Sequence, residues 1–447
     1  MSKNIGFIST RFAGTDGVSL ESSKWAEVFE KSGHSCFWFA GELDREKEKS
    51  FLVPEAHFQN EQNVWINERV FGEKKRESSV TESIHALRSY LKSKLEKFIE
   101  QFNIELLVVE NALTIPMNIP LGIALAEYIS ETQIPTIAHH HDFYWERTRF
   151  SVNAVGEYLH MAFPPDLSNI EHVVINSAAQ RELAHRRGIS ATIIPNVLDF
   201  ENPPLKNGKR NEEFRKKFGL KIDNIMILQP TRVIRRKGIE LAIELVKALD
   251  NKRCKLVISH ECGDEGFEYF EWIKEHASDH CVDLRIAESH IASPWNNNGD
   301  PQKKCSLWNV YPHADFITFP SLTEGFGNAF LEAVYFKKPI LINRYDTYIR
   351  DIEPKGFDLV AIDGFLNKKA VQSVREVLKS PMRRKRMVDK NYEIATTCYS
   401  YSVLRKHLNT IMHNIFGDSD PRICFDPTCR QHEACLKKEK YPVQIAV

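Results

Sequence analysis

The run SLTEGFGNAFLE, from Ser321 to Glu332, places two carboxylates and two glycines directly after the apolar segment HADFITFP. Gly325 and Gly327 remove Cβ atoms, so the backbone there can approach a ligand closely. The N–H groups of Phe326 to Asn328 open a helical pattern, an arrangement suited to an anion. Glu332 follows Glu324 by about two helical turns and can reach the same cleft at a different depth. Two carboxylates at two heights beside an anion-binding helix end can accept hydroxyl hydrogens from both ends of a nucleotide sugar. A capping carboxylate and a surface glutamate would need neither glycine.

Three further stretches carry chemistry. In PTRVIRRKGIE, Arg232 and Lys237 flank the start of a helix whose dipole already favours negative charge. A guanidinium fork and an ammonium there suit a diphosphate, and Arg235 and Arg236 between them either share the role or face water. The turn Gly14-Thr15-Asp16-Gly17 follows an apolar strand but lacks the third glycine of a dinucleotide fingerprint, which argues against a dehydrogenase. It still offers backbone N–H groups to an anion, unless it is only a tight turn. In AHHHD, His139, His140 and His141 end an apolar run. A zinc cluster of the three is disfavoured, because adjacent strand residues point to opposite faces.

These loops need elements to hold them. Short apolar runs alternate with helical patterns: NIGFIS, CFWFAG, IELLVVE, PTIAHH, VVI and ATIIP in the first part, then NIMILQ, CKLVIS, VDLRIA, DFITFP, PILIN and DLVAI. Such alternation implies parallel sheets covered on both faces, with ligands at the carboxyl ends of the strands. The segment NVLDFENPPLKNG breaks the pattern and reads as a linker. The predicted organisation is a first domain over 1–199, a second over 209–395, and C-terminal helices and tail over 396–447 that pack back on the first domain.

A chain of 447 residues exceeds one core, and 42% hydrophobic with 27% charged residues is ordinary for a soluble protein. Sixty basic against sixty acidic side chains create no global field for nucleic acid or an anionic membrane. The cluster Arg383 to Arg386 reads as a solvated helix face. The N-terminus lacks a signal-peptide pattern, and Glu105, Glu110, Asn111 and Asn118 interrupt the most apolar stretch, so a cytoplasmic protein without a membrane span is expected. Nine scattered cysteines read as free thiols. Asp418-Ser419-Asp420 reads as a turn, and the spacing of Cys424, Cys429, His432 and Cys435 matches no standard zinc finger.

Taken in order, GTDGVSLE, the histidine–aspartate after PTIAHH, INSAAQRELAHR, IPNVLD, PTRVIRRKG and the Glu324–Glu332 signature resemble the retaining glycosyltransferases of the GT-B architecture, notably family 4. Finer features, SHECGDEGFEYFEWI and LWNVYPHADFITFP, are similar to enzymes that make glucosylglycerate-type solutes. The resemblance implies two doubly wound Rossmann-like domains with an interdomain cleft. It assigns Glu332 to the ribose hydroxyls of a nucleotide-sugar donor, and Glu324 with the N–H groups of Gly325 to Asn328 to the hexose. It assigns Arg232 and Lys237 to the leaving diphosphate, with a backbone contact from Gly17. It suggests His141 near the anomeric centre, with His140 the runner-up. On the acceptor side it places His140, Tyr144, Arg147 and Arg149, and arginines there either suit a small anionic acceptor or belong to an ordinary salt-bridged loop. Neither a metal nor another cofactor is expected, and the oligomeric state is open. The implied activity is transfer of a hexose from a UDP-glucose or GDP-mannose type donor. The rival from another class is a non-catalytic nucleotide-sugar sensor, which needs neither the histidine nor the acceptor arginines.

Overall fold

The computed structural model describes residues 2–14, 16–203, 215, 218–259, 267–286, 291–292, 305–306, 308 and 310–417. The acidic pair Asp418 and Asp420 and the cysteines from Cys424 onward lie outside the described residues.

The apolar runs of the first part form a parallel seven-stranded sheet in the order β3-β2-β1-β4-β5-β6-β7. Its strands are β1 (Asn4–Ile8), β2 (Ser35–Ala40), β3 (Ser50–Leu52), β4 (Leu106–Glu110), β5 (Thr136–His140), β6 (Ile170–Val174) and β7 (Thr192–Ile193). The helices are α1 (Gly17–Lys31), α2 (Glu61–Val70), α3 (Ser78–Phe102), α4 (Ile119–Thr132), α5 (Gly156–Ala162) and α6 (Ser177–Arg187). β4 is buried at every position, as a central parallel strand with both faces covered must be. The sequence reading passed over α2, α3 and β3. Yet α3 buries Val80, Ile84, Leu87, Leu91, Leu95 and Phe98, a stripe at helical spacing that packs on α4.

The second sheet is also parallel, in the order β10-β9-β8-β13-β14-β15. It contains β8 (Ile225–Gln229), β9 (Cys254–Ile258), β10 (Leu284–Ile286), β13 (Phe316–Phe319), β14 (Ile340–Asn343) and β15 (Val360–Ile362). A separate pair, β11 (Ile291–Ala292) and β12 (Cys305–Ser306), stands apart from it. The later helices are α7 (Ile239–Leu249), α8 (Phe267–Asp279), α9 (Asn328–Tyr335), α10 (Lys368–Lys379), α11 (Pro381–Tyr399) and α12 (Tyr401–Phe416).

Each sheet reverses its strand order once, between β1 and β4 in the first and between β8 and β13 in the second. At such a reversal the loops leave to opposite sides and open a crevice. The chain passes between the units twice, and the two passages lie side by side. Leu198 bridges Ser400 in parallel, its N–H donating to the Tyr399 carbonyl at 2.9 Å. Tyr392 Oη donates to the Phe200 carbonyl at 2.9 Å, and the Ser402 N–H donates to Glu201 at 3.0 Å.

After that second passage, α12 returns to the first sheet. Tyr401, Leu404, Leu408 and Ile411 join Ile5, Phe7, Trp25 and Phe29 in one buried cluster. The basic cluster begins α11: Arg383 grips Asp358 at 2.6 and 2.7 Å, and Lys385 pairs with Asp389 on the helix surface. Among the described residues no helix is long and apolar enough to cross a membrane. Cys36, Cys254, Cys281 and Cys398 are free thiols.

Leu404 is fully buried where α12 meets the first unit. Leu404→Ala is expected to lower unfolding free energy by about 2–5 kcal/mol, the range for a large-to-small change in a packed core. Urea denaturation followed by circular dichroism checks this, and a loss below about 0.5 kcal/mol would mean that α12 packs loosely.

Candidate active site

In the second unit the loops after β8 and β13 interlock. Gly238 adopts φ +61°, and a Cβ there would stand 2.5 Å from the Pro320 carbonyl oxygen. The Leu322 N–H donates to the Arg236 carbonyl at 2.8 Å, and Arg236 Nη1 donates to the Thr323 carbonyl at 3.2 Å. The basic loop and the glycine signature are therefore one structural piece over the β8–β13 reversal. Within it the Lys237 ammonium donates to Glu324 Oε1, and Arg236 lies 3.4 Å from Glu324 Oε2. Burial lowers the Lys237 pKa, and the Glu324 carboxylate only partly offsets it. Arg232 is exposed, and among the described residues no hydrogen bond or ion pair engages its side chain. Arg235 turns away to lie over the Tyr269 ring at 5.4 Å. Arg236 and Lys237 thus share one carboxylate, Arg232 adds its charge nearby, and the crevice keeps a positive excess.

Gly327 sits at φ +112°, where a Cβ would come within 2.6 Å of Tyr345 Oη and 3.0 Å of the Phe319 ring. Tyr345 Oη in turn donates to the Phe326 carbonyl at 2.6 Å, fixing the turn from which α9 starts. Glu332 on α9 accepts from Tyr311 Oη at 2.5 Å. Burial raises its pKa, with the Tyr311 hydrogen bond and the Lys24 charge opposing.

The first unit meets this piece directly. Asp16 caps α1, accepting from the N–H groups of Val18 and Ser19 at 3.1 Å each. A Cβ on Gly17 would lie 3.7 Å from Asn328 Nδ2, so the starts of α1 and α9 converge across the cleft. Asn196 Nδ2 bridges to Asn328 Oδ1 at 2.6 Å, and Asn176 Nδ2 donates to the Gly325 carbonyl at 2.7 Å. A Cβ on Gly325 would meet the His141 carbonyl oxygen at 3.3 Å. Two partial positive helix ends facing each other suit a doubly charged anion.

The histidine triplet is resolved by burial and partners. His140 is fully buried, its Nδ1 paired with Thr114 Oγ1 and its Nε2 2.9 Å from His172 Nδ1. Burial holds its pKa well below the usual imidazole range. With both nitrogens engaged inside the sheet packing, His140 leaves the acceptor set and cannot be the runner-up at the anomeric centre. His139 and His141 share the other side and converge on Glu110, whose carboxylate lies 3.0 and 2.9 Å from their nearest nitrogens. Strand alternation separates neighbours, but it places the first and third histidines together. The donor atoms of Glu110, His139 and His141 lie within 4.8 Å of one another, a spacing that a divalent ion can also bridge.

The proposed acceptor arginines are less free than the sequence suggested. Arg147 Nε donates to Asp142 Oδ2 at 2.8 Å, and Nη2 reaches the same oxygen, so its fork closes a salt-bridged loop. Arg149 is exposed, with Nη2 2.7 Å from Met117 Sδ and its guanidinium 4.5 Å over the Phe150 ring. Tyr144 packs edge-on to Trp145 at 5.1 Å and against the core beneath α5, which leaves only part of its ring for a sugar. The sequence reading missed Glu110, Asn176 and Asn196. For Glu110 the available signal was a carboxylate ending an otherwise apolar strand.

A family model described as glycosyl transferases group 1 matches residues 210–394, the part that carries both interlocked loops. The chain is 32% identical over 443 residues to a mannosylglucosylglycerate synthase of Thermotoga maritima, covering 91% of this chain and 98% of that one. The chain belongs to the group 1 glycosyltransferases. A mannosylglucosylglycerate synthase of Petrotoga mobilis is also 32% identical to this glycosyltransferase, over 80% of this chain and 86% of that one. The solved structure of a glycosyltransferase from Rickettsia africae superposes with a TM-score of 0.68 at 13% identity, covering 94% of this chain and 99% of that one. The two facing Rossmann-like units are the GT-B fold.

Gly327→Ala places a side chain against Tyr345 in a backbone region that L-residues avoid. It is expected to cost about 1–3 kcal/mol of stability. The urea midpoint measures that loss, and an unchanged midpoint would show that the α9 start relaxes freely.

Proposed function

We propose that this glycosyltransferase moves a hexose, with retention of anomeric configuration, from a nucleotide-sugar donor to a small anionic acceptor of the glucosylglycerate type. The observation that carries the reading is the meeting of His141 with Gly325 across the cleft. The contact is made by the His141 backbone carbonyl, and it brings the end of β5, which carries the imidazole, beside the loop whose Lys237, Arg236 and helix end suit a diphosphate. Two relatives similar over most of their length are mannosylglucosylglycerate synthases, which supports a GDP-mannose type donor over UDP-glucose and a glycerate-bearing sugar as acceptor.

In this mechanism the bond from the anomeric carbon to the diphosphate breaks. The new bond to the acceptor oxygen forms on the same face, and a departing phosphate oxygen takes the acceptor proton. Arg232, Arg236, Lys237 and the start of α9 balance the growing negative charge, and such preorganised stabilisation is the largest usual catalytic contribution. Glu324, held between Lys237 and Arg236, orients hexose hydroxyls and attacks nothing. Glu332 takes the ribose hydroxyls. Arg149, the more exposed acceptor-side arginine, is the better placed to meet an acceptor carboxylate, because the Arg147 fork already holds Asp142. The protein supplies the positive charge, so no metal is required.

The testing experiment incubates the purified chain with GDP-mannose or UDP-glucose and glucosylglycerate or glycerate, with and without excess chelator, and follows product by NMR. An α-linked product from an α-linked donor, formed equally with chelator, is expected. An inverted linkage, or loss of turnover restored by magnesium, would overturn the mechanism. Lys237→Ala is expected to lower kcat/KM by about 2–4 kcal/mol of transition-state stabilisation, the size of a lost charge-stabilising donor. A change of only a few-fold in steady-state kinetics would remove Lys237 from the diphosphate site.

A further inference from the structure

Glu110 ends β4 at the reversal point of the first sheet and is fully buried. A buried carboxylate is expensive there unless a positive partner compensates it. Its backbone is fixed by Ser9, whose Oγ donates to the Glu110 carbonyl at 2.9 Å. Its Oε2 lies 2.9 Å from His141 Nε2, while Oε1 has no hydrogen-bond partner among the described residues. His139 Nδ1 is 3.0 Å from Oε2 but makes no aligned hydrogen bond. The His139 ring serves instead as a spacer, with centroids 4.3 Å from both Trp25 and His141.

The next residue completes the support. Asn111 adopts φ +58°, its Oδ1 accepts the His141 N–H at 2.9 Å, and its Nδ2 reaches Asp142 at 3.2 Å. Glu110 therefore holds the His141 ring while Asn111 holds its backbone. With Nε2 engaged, His141 Nδ1 is the ring nitrogen with no hydrogen bond among the described residues, on a side chain that is 11% exposed.

We propose that Glu110 is a positioning residue for His141: it fixes the ring through Nε2, so that Nδ1 is held in one orientation for the sugar-transfer centre. The proposal rests on the placement of His141 in the proposed function. A neutral His141 would leave a buried carboxylate without a counter-charge, so the pair favours the proton. Burial pulls the His141 pKa down, but the Glu110 hydrogen bond and the charges of Glu110, Glu21 and Asp142 outweigh it, and the pKa is raised. Burial also pushes the Glu110 carboxyl up, yet the two imidazoles prevail and hold it at about 2. Around His141 the charged and titratable groups include Glu110 from β4, His139 and the neutral, buried His140 from its own strand, Glu21 from α1, which is paired with Lys24 at 2.7 Å, and the following Asp142. The cation is present below the raised pKa of His141 and is lost as pH rises through it. Activity should accordingly fall on an alkaline limb set by this pair.

The test compares the wild-type chain with Glu110→Gln, which keeps the shape and removes the charge. NMR titration of the His141 ring, assigned with His141→Gln, is run beside the pH profile of kcat/KM. Expected is a wild-type midpoint above that of free histidine, with midpoint and alkaline limb both falling by at least about one pH unit in the variant. A wild-type midpoint at or below free histidine overturns the proposal, and so does a limb unmoved by Glu110→Gln. Stoichiometric metal on the purified wild-type chain, absent from the variant, overturns it too, because the carboxylate would then serve an ion. If Glu110→Gln fails to fold, the wild-type titration alone decides. Should no donor turn over while the His141 midpoint still depends on Glu110, the proposed function fails and the pairing stands.

Discussion

The approach of two helix starts, α1 and α9, across one cleft is the constraint that the rest of the fold serves. Bringing two partial positive ends together is unfavourable until an anion lies between them. The structure offsets the repulsion with neutral bridges: Asn196 to Asn328 and Asn176 to Gly325. Every glycine in the signature answers the same demand. Gly325 clears the His141 carbonyl, Gly327 clears Tyr345, and Gly238 lets the basic loop lie on Pro320. Larger residues at any of the three would push the cations away from the place where the helix ends point.

Much of the architecture was legible because parallel strands buried on both faces are continuous apolar runs, and helices between them carry caps and stripes. The unread elements have physical reasons. β3 is three residues long and partly exposed, so it has no run to show. The stripe of α3 was present in the sequence, but α2 and α3 follow one another between β3 and β4, so the strand–helix alternation that marked other helices does not mark it. At the site, the second-unit residues were readable because glycine spacing and basic residues sit within one loop. The first-unit site was not, since it is assembled from β1, β4 and β5 by strand register. Glu110 stands opposite His139 only once β4 and β5 pair. Alternation could say that His139 and His141 share a face, but only the sheet order could say which face looks into the cleft. Likewise Arg147 read as an acceptor ligand because nothing local reveals that Asp142 already holds it.

The two units divide the electrostatic labour. The second gathers Arg232, Arg236 and Lys237 near a single glutamate that pairs with the last two, which suits a ligand that arrives charged. The first buries its charges as closed pairs, Glu110 with His141 and Glu21 with Lys24. That difference explains why the second unit was the easier to read: exposed charge announces itself in sequence, and buried charge is defined by its neighbours.

The paired passages at Leu198 and Ser400 have a mechanical consequence. A single connecting strand would let the units swivel, slide and bend, but two strands bonded side by side resist torsion about their own axis. Bending across the doubled segment is then the motion that the linkage resists least. Such a bend would part Gly17 from Asn328 and return them in the same lateral register, aligned by the backbone.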